Sequence, residues 1–277
     1  RFGKDIHHFS QIIRRGIVDS VEKDYDYLAK EGTVKRYLNF SEVPIGELAG
    51  TWYILGRVNE TVNELRMCAK DSGLYYADNR GNKSFDVKQW RAIKAWTTLS
   101  KDKKIFKKEA ENMYRYIREL KAPKYRTPKF WMNTSDHEEL SFVDLIDYCG
   151  LDLDVEHQIL SWFDILKRNF TPNQVAYFIR LLERYGQKTL DEEPDIIIDT
   201  IHSVKGGEAN NVLIYSKANW PSAFINKNNA QQSDEKRVIY TGVTRAKDSL
   251  HILSTDHKFN YPIGEDYLIF LQESKNV

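Results

Sequence analysis

Three short apolar runs in the last third of the chain limit its fold more than any other feature. They are Asp195-Ile196-Ile197-Ile198-Asp199, Asn211-Val212-Leu213-Ile214-Tyr215 and Ser249-Leu250-His251-Ile252-Leu253. Thr51-Trp52-Tyr53-Ile54-Leu55-Gly56 reads as a fourth buried strand. A half-exposed strand alternates apolar with polar residues, whereas these runs are apolar on both faces. Runs of this kind joined by helices suit a parallel sheet covered on both sides. The expected fold class is α/β.

The intervening segments supply helices. Ile6, Phe9, Ile13 and Ile17 recur at helical spacing, with Asp5 as a candidate cap. Asn59 to Lys70 repeats the pattern and stops at Gly73. Glu31 to Glu47 is polar and reads as a connection, Leu74 to Tyr76 as a short strand, and Phe85 to Trp96 as a helix. From Lys101 the texture turns lysine-rich and helix-prone to about Leu120. Three further helices are expected near 138–148, 155–169 and 172–185, the last opened by the capping box Thr171-Pro172-Asn173-Gln174 and closed by Gly186. These patterns predict one discontinuous α/β domain, residues 1–100 and 190–277, carrying an all-helical insertion at 101–189.

Composition excludes several classes. With 41% hydrophobic and 29% charged residues and a net charge of +1, the chain is neither disordered nor strongly basic. No apolar run approaches the roughly 20 residues of a membrane span. Cys68 and Cys149 stand alone, which suits a reducing, cytoplasmic compartment and no zinc site. The chain starts at Arg1 with no charged-then-apolar leader, and that start is read as a cut.

Two segments carry phosphate chemistry. Thr200-Ile201-His202-Ser203-Val204-Lys205-Gly206-Gly207-Glu208 follows a strand, and its paired glycines let backbone approach a ligand. Lys205 adds charge and Glu208 an acceptor suited to ribose hydroxyls. A tight strand connection with a surface lysine and glutamate is the plainer reading of Lys-Gly-Gly alone. Tyr240-Thr241-Gly242-Val243-Thr244-Arg245-Ala246 is the second segment. Arg237, Thr241 and Arg245 fall on one ridge of a helix. A solvated helix end rich in basic residues would look similar. No G-x-x-x-x-G-K-[ST] phosphate loop occurs in the sequence.

Together the two segments resemble motifs V and VI of the UvrD/Rep-like (superfamily 1A) DNA helicases. The resemblance implies a RecA-like sheet, the second motor domain (2A), with a reduced accessory insertion (2B). It implies that Arg245 is an arginine finger on ATP, and that Gly206 and Glu208 face the nucleotide. Thr200 and His202 would face single-stranded DNA. Arg1-Phe2-Gly3-Lys4-Asp5-Ile6 resembles the end of motif IV, whose arginine, here Arg1, reaches the γ-phosphate. Ile54-Leu55-Gly56-Arg57-Val58-Asn59 resembles motif IVa, with Arg57 and Asn59 toward DNA; strand-end capping is an equal reading of these two. Gly207 and Ala209 depart from the family, where larger apolar and aromatic residues are common.

By the resemblance, a first RecA-like domain, not found in this sequence, would hold the phosphate loop and Mg²⁺. The whole would travel 3′→5′ on single-stranded DNA and unwind at single-/double-strand junctions. The rivals are the helicase part of a helicase–nuclease machine and a non-catalytic DNA-binding module. The motor reading also places Arg245 at the C-terminal rim of the parallel sheet, where open α/β sheets bind ligands. Lys121 to Trp131 interleaves bases with aromatics and reads as a linker, with DNA contact as the lesser alternative.

Overall fold

The computed structural model describes residues 2–21, 30–117, 135–149, 155–166, 168–218, 228–255 and 260–275. Contacts divide the chain into two compact units, Arg1–Ser84 with Glu192–Val277, and Phe85–Asp191.

The first unit is built on a five-stranded, all-parallel sheet. Its strands are β1 (Thr33–Tyr37), β2 (Trp52–Gly56), β5 (Ile196–Thr200), β6 (Ala209–Tyr215) and β7 (Ala246–Leu253), in the order β1-β7-β6-β2-β5. Three of the four apolar runs are the central strands β7, β6 and β2; the fourth, β5, lies at the sheet edge, and together they supply apolar residues to both faces. Leu55, Val212, Ile214, Leu250 and Ile252 pack on one face with Ile6, Phe9 and Ile13 of helix α1 (Lys4–Arg15). Trp52, Ile54, Leu213, Ile196 and Ile198 pack on the other with Val62 and Leu65 of helix α2 (Asn59–Asp71). The α/β expectation holds.

Strand β1 lies inside the segment expected to be a connection. It sits at the sheet edge and buries only Val34, so alternating polar residues hide it. Leu74 to Tyr76 forms no strand; Ala77 makes isolated bridges to Lys83 and Ile197 instead. Asp5 falls in the first turn of α1, and the cap position is Gly3. Gly73 adopts φ 63° just past α2, the left-handed stop that its position suggests.

The second unit holds helices α3 (Val87–Leu99), α4 (Lys107–Tyr114), α5 (Phe142–Cys149), α6 (Trp162–Ile165) and α7 (Pro172–Asp191), with a two-stranded antiparallel ladder of β3 (Ile105–Phe106) and β4 (Glu139–Leu140). Helix α3 belongs here and not with the sheet, as the sequence boundary near 100 had it. Trp90 stacks on Phe178 at 6.4 Å and Trp96 meets Phe142 edge-on at 5.8 Å. The helix expected over 155–169 is a 3₁₀ turn, Val155–Ile159, followed by the short α6. The Thr171 capping box forms, with Gln174 N–H donating to Thr171 Oγ1 and Thr171 N–H to Gln174 Oε1. Gly186, at φ 71°, kinks α7, and helical backbone resumes beyond it. Lys121 to Trp131 lies outside the described residues. Among the described residues no helix is long and apolar enough to cross a membrane.

Candidate functional site

Strands β5 and β6 both pair with β2, on opposite sides of it. Residues 201–208 must therefore cross over β2. They must also descend the sheet, because Thr200 is level with Gly56 while Asn211 is level with Trp52. That descent is roughly 13 Å at ~3.3 Å per strand residue. Successive turns achieve it, through Ser203 N–H to Thr200 O (3.1 Å), Lys205 N–H to His202 O (3.3 Å) and Gly207 N–H to Val204 O (3.0 Å). Ile201 and Val204 are 1% and 2% exposed and pin the crossing to the core. At its upper end, Asn79 donates from its backbone N–H to Asp199 Oδ2 (3.1 Å) and from Nδ2 to Ser203 O (2.8 Å).

The nine-residue segment thus joins two edges of one sheet. Thr200 and His202 lie at the C-terminal edge, beside Arg57 and Asn59, which follow β2. Gly206 and Glu208 lie at the N-terminal edge. Helix α8 (Asn229–Val243) delivers Arg245 to that same edge, where Ala209 N–H donates to Arg245 O at 3.0 Å. The expectation that Arg245 sits at the C-terminal rim, on which the motor reading of the sequence depends, is wrong; any motor reading of this sheet has to place its nucleotide at the N-terminal edge instead. A helix connecting two parallel strands runs antiparallel to them, so the residue between α8 and β7 emerges where β7 begins. Arg245 also lies beyond the last turn of the helix, off the ridge that carries Arg237 and Thr241.

The Arg245 guanidinium closes the N-terminal edge. Its Nε donates to Thr241 O (3.0 Å), one Nη to Thr244 Oγ1 (3.1 Å) and the other to Gly207 O (3.1 Å). It caps α8 and grips the crossing segment at once. Three of five guanidinium N–H groups are used, which leaves two for a ligand. Glu208 pairs with Lys247 at 3.3 Å. Gly206 has φ 93° and open space on its Cβ side, so a ligand could approach the backbone there. Arg1 lies outside the described residues.

The departure at Gly207 has a local cause. A Cβ on this residue would collide with the Tyr53 hydroxyl, which rises from β2 beneath the crossing. The Gly207→Ala variant is expected to lose about 1–3 kcal/mol through overpacking, and most of it should return when Tyr53→Phe is added. Urea unfolding of the two variants checks this; equal midpoints would refute the contact. Ala209 is 1% exposed, within the same core as Val243 and Ala246.

At the C-terminal edge Arg57 is not a free cation. Its Nε and Nη2 donate to the two carboxylate oxygens of Glu235 at 2.8 and 3.1 Å. Glu235 stands on α8 with its side chain 6% exposed, and its Oε2 also accepts from Tyr261 Oη at 2.8 Å. Burial opposes the charge on Arg57, but the Glu235 bonds and charge and the Tyr261 hydroxyl hold its pKa above the ordinary value. His202 is exposed, and partial desolvation followed by the Arg57 charge lowers its pKa. Asn59 is exposed at the first turn of α2. Thr200 Oγ1 accepts from Ser203 N–H at 3.3 Å, so it braces the turn as well as lining the edge. The sequence reading gave Glu235, Tyr261 and Tyr53 no role at the site, since no local pattern marks a partner so distant in the chain.

Residues 157–257 match the UvrD-like helicase C-terminal domain. This match takes in α6, α7, β5, the crossing segment, β6, α8 and β7. The C-terminal domain of a possible DNA helicase from Lactobacillus plantarum WCFS1 aligns over 95% of this chain and 95% of its own, at 12% identity and a TM-score of 0.34. No curated protein matches the chain. Among the described residues, no group of three or more His, Cys, Asp or Glu is placed to hold a metal ion.

Proposed function

We propose that this chain is the second motor domain of an ATP-dependent DNA helicase. It would present Arg245, Gly206 and Glu208 to a triphosphate held by a phosphate-loop domain. Thr200, His202, Asn59 and the outer face of Arg57 would meet single-stranded DNA. The observation that carries the reading is the Arg245 bond to the Gly207 carbonyl, which ties the two motif-like segments into one unit at one edge. The same crossing segment ends at Thr200 on the other edge, so one piece of backbone touches both proposed sites.

The residues fit a nucleotide in specific ways. A guanidinium with two unused donors suits the charge spread over phosphoryl oxygens. The open side of Gly206 admits a ligand against the main chain. Glu208 would accept from ribose hydroxyls, and Lys247 orients it. ATP with Mg²⁺ would supply the phosphoryl chemistry; both would be held mainly by the phosphate-loop domain. Closure of the two domains and their reopening would step the protein along single-stranded DNA, 3′→5′ by the family resemblance, and drive unwinding at a junction.

The test is reconstitution. Purified residues 1–277 should show no ATP turnover, whereas a polypeptide with a phosphate-loop domain ahead of Arg1 should hydrolyse ATP and respond to single-stranded DNA. Robust turnover by 1–277 alone would refute the two-domain site.

A further inference from the structure

A carboxylate at a surface that meets DNA phosphates should repel its ligand, yet Glu235 stands at the C-terminal edge. Its burial explains why it can be there. A buried carboxylate that loses its cation is strongly unfavourable, so Arg57 cannot swing away from Glu235 toward a phosphate without giving up the two charge-assisted bonds that compensate that buried charge. Arg57 therefore keeps its Nε and Nη2 on Glu235, and can offer a ligand only the donors on the opposite side of its fork. The pair bridges 178 positions of sequence, from the end of β2 to the first half of α8. Helix α8 is thus fastened near its start to the C-terminal edge through Glu235, and just past its end to the crossing segment through Arg245.

We infer that Glu235 is a positioning residue for DNA: it aims Arg57 and ties the proposed DNA edge to the helix that carries Arg245. This rests on the motor reading above. The experiment is single-stranded-DNA-stimulated ATP hydrolysis by the intact protein, phosphate-loop domain included, titrated with oligo(dT). Glu235→Gln keeps the shape and removes the charge. It is expected to raise the oligo(dT) concentration for half-maximal stimulation about tenfold, with kcat at saturating DNA within about twofold of wild type. Arg57→Met, which also removes the proposed DNA contact, should raise the DNA requirement at least as much, and the double variant should be no worse than the poorer single one, because each change already breaks the same unit.

A folded Glu235→Gln protein with an unchanged requirement for DNA overturns the inference. So do additive effects in the double variant, or a fall in kcat with no change in the DNA requirement. If Glu235→Gln alone does not fold, the Arg57→Met/Glu235→Gln protein, uncharged on both sides, carries the same test against wild type. Wild-type protein that hydrolyses ATP without responding to DNA overturns the motor reading and the inference together; a responsive wild type beside an unaltered Glu235→Gln overturns the inference alone.

Discussion

Arg245→Ala in the intact protein should lower kcat for ATP hydrolysis by about 10³-fold or more, with nucleotide binding largely retained. An arginine that meets phosphoryl oxygens contributes on the order of 10³–10⁵ in rate, because its fork matches charge that develops only in the transition state. Arg245→Lys should recover little, since an ammonium cannot hold Gly207 O and a phosphoryl oxygen in one plane. The fold should survive: the side chain is half-buried, and its lost bonds go to two carbonyls and a hydroxyl at a helix end. Single-turnover and steady-state ATPase, with circular dichroism as the control, check the expectation. A variant that keeps wild-type turnover would reduce Arg245 to a helix cap, and the binding-module reading would then stand.

Acid should destabilise the sheet through one core histidine. His251 lies in β7, 1% exposed, between Trp52 and Tyr37. Ser249 Oγ donates to Asn211 Oδ1 at 2.6 Å, so its single proton is committed. The contact between Ser249 Oγ and His251 Nε2, at 2.7 Å, must then run from the ring N–H to the hydroxyl. Nδ1 is left as the acceptor facing Tyr37 Oη at 3.2 Å. This neutral tautomer is what burial favours, and burial, with a smaller contribution from Lys35, pushes the His251 pKa from 6.5 down to about 4.

The sign follows directly. Above pH 6.5 the ring is neutral in both folded and unfolded chains and contributes no pH dependence. Between 6.5 and about 4 the unfolded chain takes up a proton that the folded one refuses, so stability falls as pH falls. The loss amounts to about 3 kcal/mol when complete. Urea midpoints at pH 7 and pH 4.5 should differ accordingly, and His251→Gln should flatten the difference. An NMR titration that finds the His251 ring protonating near its ordinary value would contradict the account.

What the sequence disclosed and what it hid differ for a physical reason. β2, β6 and β7 were legible because a strand buried on both faces must be apolar throughout, which is a local property; β5, at the edge, was legible from its run of three isoleucines. The Thr171 cap and the stop at Gly73 were legible likewise, since turn chemistry acts within a few residues. β1 was not legible: with only Val34 buried at the sheet edge, its residues follow solvent and not the core. α3 went to the wrong unit because its tryptophans could pack on either side of a boundary that no residue marks.

The chemical identities at the site, Arg245, Glu208, Gly206, Thr200, His202, Arg57 and Asn59, stood in the sequence. Their arrangement did not. That the crossing over β2 parts them into two edges follows from strand order, and strand order depends on pairing between segments far apart in the chain. The bidentate hold of Glu235 on Arg57 and the seat of Gly207 on Tyr53 follow from the same pairing. Local composition sets which groups are present, since each strand or turn answers to its own neighbours; the direction in which they point is a property of the folded sheet.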